Sequence, residues 1–391
     1  MNNNKKNIKY FDYASVDFLI DKNGVPVFME ANDNTLAPFY IEKKNELTKQ
    51  VLKGSNKFVN VNSKHKDVFI SCFDNYFKRN EIKSKKGKNI AILCKRRNHP
   101  VSIENEIQYL IRLLGQHGYN AKMCIPEECR IENGYLTIKN DQSIPSLVFR
   151  RNFSFPPSGS IKQPVINDLM VRKISGNKFL THQVIEPLIR NGEAGFRQPK
   201  TYHVKDRNSL MDSIGMFVKN GFDCVAKPNY SYGGDGFFYF SKRESISEEN
   251  NKIASVISRI EKGEEYLVQE RIETSLFKSG NNKEYCFDIR LMIYGGQFAG
   301  IEGRRSDEPF NYKLNEGKSL VTNISSGGKD LLVISSKDES YNFISERLVT
   351  ENEVELLKFE VDSNVLVLGN KLFSTLKQAA ESIVRAIDSA I

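Results

Sequence analysis

The stretch SVDFLIDKNGVPVFMEANDN, near the start of the chain, constrains the fold more than any other. VDFLI is an apolar strand, DKNG a turn and VPVFME a second strand, so residues 12–30 read as a β-hairpin. Asp17 and Glu30 stand thirteen positions apart across that turn, and residues near the two ends of a hairpin are neighbours in space. Glu30 and Asn32 alternate with Ala31, which points both side chains to one face. Two carboxylates and an amide oxygen that converge are hard donors suited to Mg²⁺, which usually keeps water or substrate phosphate in its shell. The same spacing also fits an ordinary hairpin with solvated acids.

The 391 residues suffice for two or three packed units, and 39% hydrophobic with 27% charged residues is a globular balance rather than a disordered one. No run of about 18 apolar residues occurs, so no membrane span is expected. The opening MNNNKKNIKYFDY lacks the apolar core of a secretory signal. Six scattered cysteines without a CxxC pair, and only five histidines, give no zinc pattern; a reduced, cytoplasmic setting with buried thiols is expected. The net charge of +9 is spread widely apart from KSKKGK (Lys83–Lys88), and no nucleic-acid motif accompanies it. That run reads as a solvated linker, or as a basic site for an anion such as ATP.

Along the chain, residues 41–88 read as a polar helix and a connecting segment. NIAILC, SIENEIQYLIRLLGQHG and YNAKMC give a strand–helix–strand order from Asn89, with a small hairpin at IENGYLTI and a strand at SLVFRR. NDLMVRKISGNKFLTHQVIEPLI is helical with a break near Ser175-Gly176. FDCVAKP and EYLVQERI are strands, SYGGDG is a glycine-rich loop, and FDIRLMIYGGQFAGIEGRR is two strands joined at Gly295-Gly296. LFSTLKQAAESIVRAIDSAI closes the chain as an amphipathic helix.

These segments resemble the ATP-grasp superfamily of carboxylate–amine ligases. The acidic hairpin is similar to the metal-binding signature of D-alanine–D-alanine ligases, which implies Asp17, Glu30 and Asn32 as Mg²⁺ ligands. The family arginine two positions before the aspartate is Ser15 here, so its charge must come from elsewhere. The resemblance implies phosphate contacts from Lys178 and Lys227, a cover shaped by Gly233, Gly234 and Gly236, and an adenine site lined by Gln269, Glu270, Arg271 and Ile272. Polyphosphate needs positive charge and closely approaching N–H groups, which glycine permits. The 285–305 region is similar to the ribosomal-S6-glutamate-ligase and glutathione-synthetase branch. There Asp288 or Glu284 would accept from the ribose, and Arg290, Arg304 and Arg305 would bind a substrate carboxylate or the transferred phosphoryl group. VTNISSGG implies Asn323 facing metal and phosphate, with Ser325, Gly327 and Gly328 near the acceptor. NHP (98–100) fits a substrate pocket or a plain loop.

The expected fold is therefore α+β, an ATP-grasp fold of two lobes clasping ATP with a small preATP-grasp α/β domain. The family order returns only when Ile391 is joined to Tyr10, so a circular permutation is implied, with the hairpin inserted beside the strands around 285–325. The expected units are 1–50 (hairpin segment of the C-lobe), 51–88 (lysine-rich linker), 89–165 (preATP-grasp domain) and 166–391 (ATP-grasp domain); 330–372 has no clear counterpart. The implied reaction is ATP-dependent C–N bond formation through an acylphosphate. ATP and two Mg²⁺ ions, with Mn²⁺ as a substitute, would serve small carboxylate and amine substrates of amino-acid or peptide type. Neither nucleic acid nor membrane is expected as a partner, and a homodimer is left open. A kinase acting on a hydroxyl group and a non-catalytic nucleotide binder are the alternatives.

Overall fold

The computed structural model describes residues 8–34, 38–53, 56–82, 88–95, 101–139, 144–151, 160–192, 194–230, 235–241, 246–279, 283–310, 319–324, 327–337, 343–346 and 361–391. The hairpin forms as β1 (Tyr13–Ile20) and β2 (Pro26–Asn32). Its turn is closed by Asp21, whose Oδ1 accepts from the Asn23 and Val25 amides at 2.9 Å each. Two helices follow, α1 (Pro38–Val51) and α2 (His65–Arg79), with the short β3 (Phe58–Val59) between them. A small parallel layer comes next. It contains β4 (Asn89–Leu93), α3 (Val101–Gln116), β5 (Asn120–Cys124), the hairpin β6 (Cys129–Glu132) and β7 (Tyr135–Ile138), then β8 (Leu147–Arg150) and β9 (Val165–Ile166).

The helix break falls where the sequence puts it. Asp168 caps α4 (Leu169–Ser175) and Asn177 caps α5 (Lys178–Arg190), each through its side-chain oxygen. Then come β10 (Thr201–Val204), α6 (Arg207–Lys219), β11 (Cys224–Pro228), β12 (Phe238–Phe240), α7 (Ile246–Glu261) and β13 (Tyr266–Glu270). The remainder is β14 (Leu276–Lys278), β15 (Glu284–Tyr294), β16 (Gln297–Arg305), β17 (Lys329–Ser336), β18 (Phe343–Glu346), β19 (Val361–Leu368) and α8 (Asn370–Ser389).

Among the described residues four sheets organise these elements, the smallest being the two-stranded β6-β7. The largest runs β18-β19-β17-β16-β15-β1-β2, with β14 on β15 and β3 on β17. The hairpin is therefore an integral part of this sheet, β1 lying antiparallel between β15 and β2. The second sheet is β10-β13-β11-β12 and the third is the parallel β5-β4-β8-β9.

Period-two alternation divides the large sheet's side chains. Val16, Phe18, Phe287, Ile289 and Leu291 face the apolar stripe of α8, made by Leu376, Ala379, Ala380, Ile383, Val384 and Ile387. On the other face Tyr13, Met292 and Tyr294 join α2 and the small parallel layer in one core, while Asp17, Asp288, Arg290 and Arg304 occupy the far end.

The 51–88 segment is not a linker. Phe69, Ile70, Phe73 and Phe77 of α2 are buried between the large sheet and the small one, and contact Ile90, Ile92 and Phe149 in the same core. Helical spacing of apolar residues within a lysine-rich stretch explains the difference: Lys66 and Lys78 of α2 are exposed on its outer face. The 330–372 segment, without a counterpart in the sequence reading, supplies β17, β18 and β19 at the sheet's edge. All six cysteines are buried, as expected, and none is in a disulfide. No helix among the described residues is long and apolar enough to cross a membrane.

Candidate active site

Strand register builds the site. Glu30 pairs with Asp17, Asp17 with Arg290 and Arg290 with Glu302, which makes one row of side chains across β2, β1, β15 and β16. Two positions along, Asp288, Arg304 and Asp330 form a second row on the same face. Adjacent strands lie about 4.8 Å apart, so each charge meets its neighbours directly. Arg290 grips Asp17 with two parallel bonds, Nε to Oδ1 at 2.7 Å and Nη2 to Oδ2 at 2.6 Å. Arg304 reaches Asp17 Oδ2 at 3.0 Å and holds Asp288 at 2.8 and 2.6 Å. Thr322 donates to Asp288 Oδ2 at 2.6 Å. Lys44, from α1, bonds Asp330 at 2.6 Å and Glu302 at 3.2 Å.

Electrostatics follow from this lattice. Burial would raise Asp17, but Arg290 and Arg304 outweigh it and hold the carboxyl down at about 2. Burial would likewise raise Glu302, and Lys44 with the two arginines keeps it below the usual range. Asp288 goes the other way: burial, with Asp17 as a like charge, raises it despite Arg304.

Facing this row across a cleft are two lysines. Lys178 opens α5 and Lys227 ends β11, and Lys178 Nζ lies 3.9 Å from Glu30 Oε2. Burial lowers the Lys178 ammonium, with Glu30 opposing. Burial and then Lys178 lower Lys227 to about 8. Burial and mutual repulsion thus disfavour the two charged ammoniums, while Glu30 favours them.

The cleft is lined by Asp17, Glu30, Lys178, Lys227, Gln269, Glu270, Arg271, Ile272, Asp288, Arg304 and Asn323. Leu19, Met29, Val225 and Phe237 add apolar wall. Arg290 lies beneath Asp17. Asn32 turns its amide to Glu30 Oε1 at 3.3 Å, on the same face. Gly236, between the lining residues Asp235 and Phe237, has φ +72°, and a Cβ there would sit 2.7 Å from Pro228 Cγ. Gly328 donates to the Asn323 carbonyl at 3.0 Å, and a Cβ would meet the Thr322 carbonyl oxygen at 2.2 Å, so glycine is required for that loop to close.

Two expectations need correction. Arg305 is on the opposite face of β16 from Arg304, where its guanidinium stacks 4.1 Å over Tyr285 and donates to the Ser306 carbonyl. Successive strand residues cannot both face the cleft. Glu284 is exposed at the outer end of β15, away from the cleft lining. Asp288 lines the cleft, where its Oδ1 accepts from Arg304 and its Oδ2 from Arg304 and Thr322. The hinge residues also split roles: Glu270 binds Arg197 at 3.3 Å, and Gln269 donates to Thr201 at 2.8 Å. Gly233, Gly234, Ser325 and the NHP tripeptide lie outside the described residues. Sequence reasoning missed Lys44, Glu302 and Asp330. Glu302 is two positions before Arg304 in a strand, a spacing that puts it on the same face; Lys44 carries no such signal.

No protein-family model matches the chain, and no curated protein matches it. Solved structures do. One, described as a candidate gamma-glutamylcysteine synthetase from Methylobacillus flagellatus KT, aligns over 98% of this chain and 90% of its own at 11% identity, with a TM-score of 0.55. A glutathione synthetase-like effector from Globodera pallida has 13% identity over 75% of this chain and 72% of its own, TM-score 0.49. D-alanyl-alanine synthetase A from Vibrio cholerae has 11% identity over 78% and 98%, TM-score 0.40. The first of these likenesses is one of fold: the chain has the ATP-grasp fold.

Proposed function

We propose that the chain is an ATP-dependent carboxylate–amine ligase working through an acylphosphate. The observation that carries this reading is the meeting, across one cleft, of Lys178 and Lys227 with a carboxylate-rich sheet face. Lys178 and Lys227 hold the phosphates, and the residues 269–272 with Leu19, Met29 and Val225 flank the adenine. Asp17, Glu30 and Asn32 are the candidate Mg²⁺ ligands.

The donor set fits such an ion. Glu30, Asp17, Asp288, Glu302 and Asp330 share one face with only Arg290, Arg304 and Lys44, an excess of two negative charges. Among the described residues no three His, Cys, Asp or Glu side chains form a ready-made cage; Mg²⁺ commonly takes part of its shell from phosphate and water. An Mg²⁺ ion held by Asp17, Glu30 and Asn32 would offset phosphate charge.

In the first step an oxygen of the substrate carboxylate bonds to the γ-phosphorus as the bond to ADP breaks. In the second an amine attacks the acyl carbon, phosphate leaves, and the amine gives up a proton. The lysines and arginines supply alignment and fixed charge, and no side-chain nucleophile takes part. Amino-acid or peptide-like substrates are the class that the similar structures suggest by name. Arg290, directly opposite Asp17, supplies the charge missing at Ser15. The element order, hairpin first and α8 last with β1 inside the sheet, supports a circular permutation of the ATP-grasp domain.

The test is hydroxylamine trapping with a panel of amino acids and dipeptides. A ligase yields a hydroxamate with its acid substrate alongside ADP. ADP release with a hydroxyl acceptor and no hydroxamate assigns a kinase instead. No substrate-dependent ADP release, with D17N and E30Q indistinguishable from wild type, refutes catalysis.

A further inference from the structure

Asp17 carries a burden that a metal ligand cannot keep. Its Oδ1 accepts from Arg290 Nε at 2.7 Å, and its Oδ2 accepts from Arg290 Nη2 at 2.6 Å and Arg304 Nη2 at 3.0 Å. A divalent cation of the Mg²⁺ type needs close, near-octahedral approach to a carboxylate oxygen. It would also repel a guanidinium already seated on that carboxylate. Arg290 must then give up at least part of its grip.

The fold holds a second acceptor for it. In strand order Arg290 stands between Asp17 on β1 and Glu302 on β16, and pairs in register with both. Its Nε and Nη2 face Asp17, while Nη1 is 3.8 Å from Glu302 Oε1, outside hydrogen-bonding range but already within ion-pair distance. Glu302 is itself fixed, since Lys44 bonds its other oxygen at 3.2 Å and Asp330 at 2.6 Å. Lys44 is almost wholly buried, which argues against an incidental surface pair.

We propose that Glu302, anchored by Lys44, is a positioning residue for metal loading: it takes Arg290 over from Asp17 when a divalent cation reaches that carboxylate. This rests on Asp17 being a metal ligand, as the proposed function has it. The arrangement keeps the buried charges paired both before and after the cation arrives, and it leaves the arginine beside the metal rather than expelled from it.

The experiment is Mn²⁺ titration followed by electron paramagnetic resonance, with a nonhydrolysable ATP analogue present, on wild type, E302Q, R290M and the double variant. E302Q keeps the shape of the side chain but removes the charge that would receive Arg290. The expected result is about tenfold weaker Mn²⁺ binding in E302Q, the size of coupling seen for close charged pairs. In the R290M background the E302Q change should have no effect, because there is no guanidinium to hand over. Metal-free binding of the analogue, held by the lysines, should be the same in E302Q and wild type. Unchanged Mn²⁺ affinity in E302Q, or an equal loss with and without Arg290, overturns the proposal. Thermal melts identify a variant that fails to fold; E302A or R290Q, which lack the same charges, then take the place of E302Q or R290M with the same two outcomes. Mn²⁺ binding that survives D17N overturns the metal assignment itself, a separate failure from loss of the hand-over.

Discussion

Replacing Lys227 by methionine should make the nucleotide-free protein more stable while crippling its capture of ATP. Burial and the neighbouring Lys178 bring the Lys227 ammonium from its ordinary 10.5 to about 8. At 1.36 kcal/mol per tenfold change in proton affinity, this drop corresponds to roughly 3 kcal/mol against the folded state at neutral pH. The side chain is partly exposed, and solvent screening trims the gain for the variant to about 1–3 kcal/mol. Methionine retains the apolar stem, so packing changes little.

The sign of the pH dependence follows from linkage. Below pH 8 the lysine is protonated in both folded and unfolded chains and the penalty is complete. Between about 8 and 10.5 the unfolded chain holds more protons, so wild type gains stability as pH rises and its deficit to K227M closes. Nucleotide binding should move oppositely, weakening about 10- to 100-fold with the loss of a charge-assisted phosphate contact. Urea denaturation at pH 7 and pH 9.5, with isothermal titration of MgATP, measures both. A K227M protein less stable than wild type at pH 7, or one that binds MgATP equally well, refutes the reasoning.

Two further substitutions probe the geometry around that cleft. Gly236→Ala forces a Cβ onto Pro228, Tyr266 and Arg259 at a φ of +72°, so a loss of about 1–3 kcal/mol in chemical denaturation is expected, with weaker MgATP binding. Arg304→Lys keeps the charge but loses the two-bond grip on Asp288, and should cut substrate-dependent ADP release by about 100-fold or more. Arg305→Lys, on the other face, should change that rate by less than about threefold and lower stability by about 0.5–1 kcal/mol through the lost Tyr285 stacking. Equal effects from the two arginine variants would contradict the face assignment.

What the sequence made legible were features with short-range causes. The hairpin was readable because DKNG sits between two apolar runs. Lys178 and Lys227 were readable because each stands at a punctuated boundary, one after the Ser175-Gly176 break and one before a proline and a glycine-rich loop. The convergence of Asp17 with Arg290, 273 positions away, followed only from matching the segments to a known family order. Arg305 was misplaced where alternation alone should have separated it from Arg304. The Lys44–Glu302–Asp330 group was invisible for a different reason: it joins a helix in a lysine-rich segment to two strands more than 250 positions on, and nothing local marks one lysine among many as buried.

Asp388 bears on the proposed permutation more directly than any cleft residue. It lies in the last turn of α8, where the helix dipole disfavours a carboxylate by about 0.3–1 kcal/mol. It is nevertheless buried, and accepts from the backbone amides of Lys9 at 3.0 Å, Tyr10 at 2.7 Å and Phe11 at 2.8 Å. Three charge-assisted bonds outweigh the dipole term, so this carboxylate fastens the approach to β1 against α8 where a permuted parent would have had continuous chain. Asp388→Asn retains one acceptor oxygen but presents an NH₂ to the Lys9 amide, and should cost about 1–3 kcal/mol. A chain rearranged by joining Ile391 to Lys9 through a short linker, and opened within 83–87, should fold and bind MgATP as the original does. In that chain the Asp388→Asn loss should shrink, because the covalent link now does part of the fastening. Denaturation of the four proteins measures the coupling between link and carboxylate. An equal loss in both chain orders would mean that Asp388 merely caps local backbone, and a rearranged chain that cannot fold would remove the permutation from consideration.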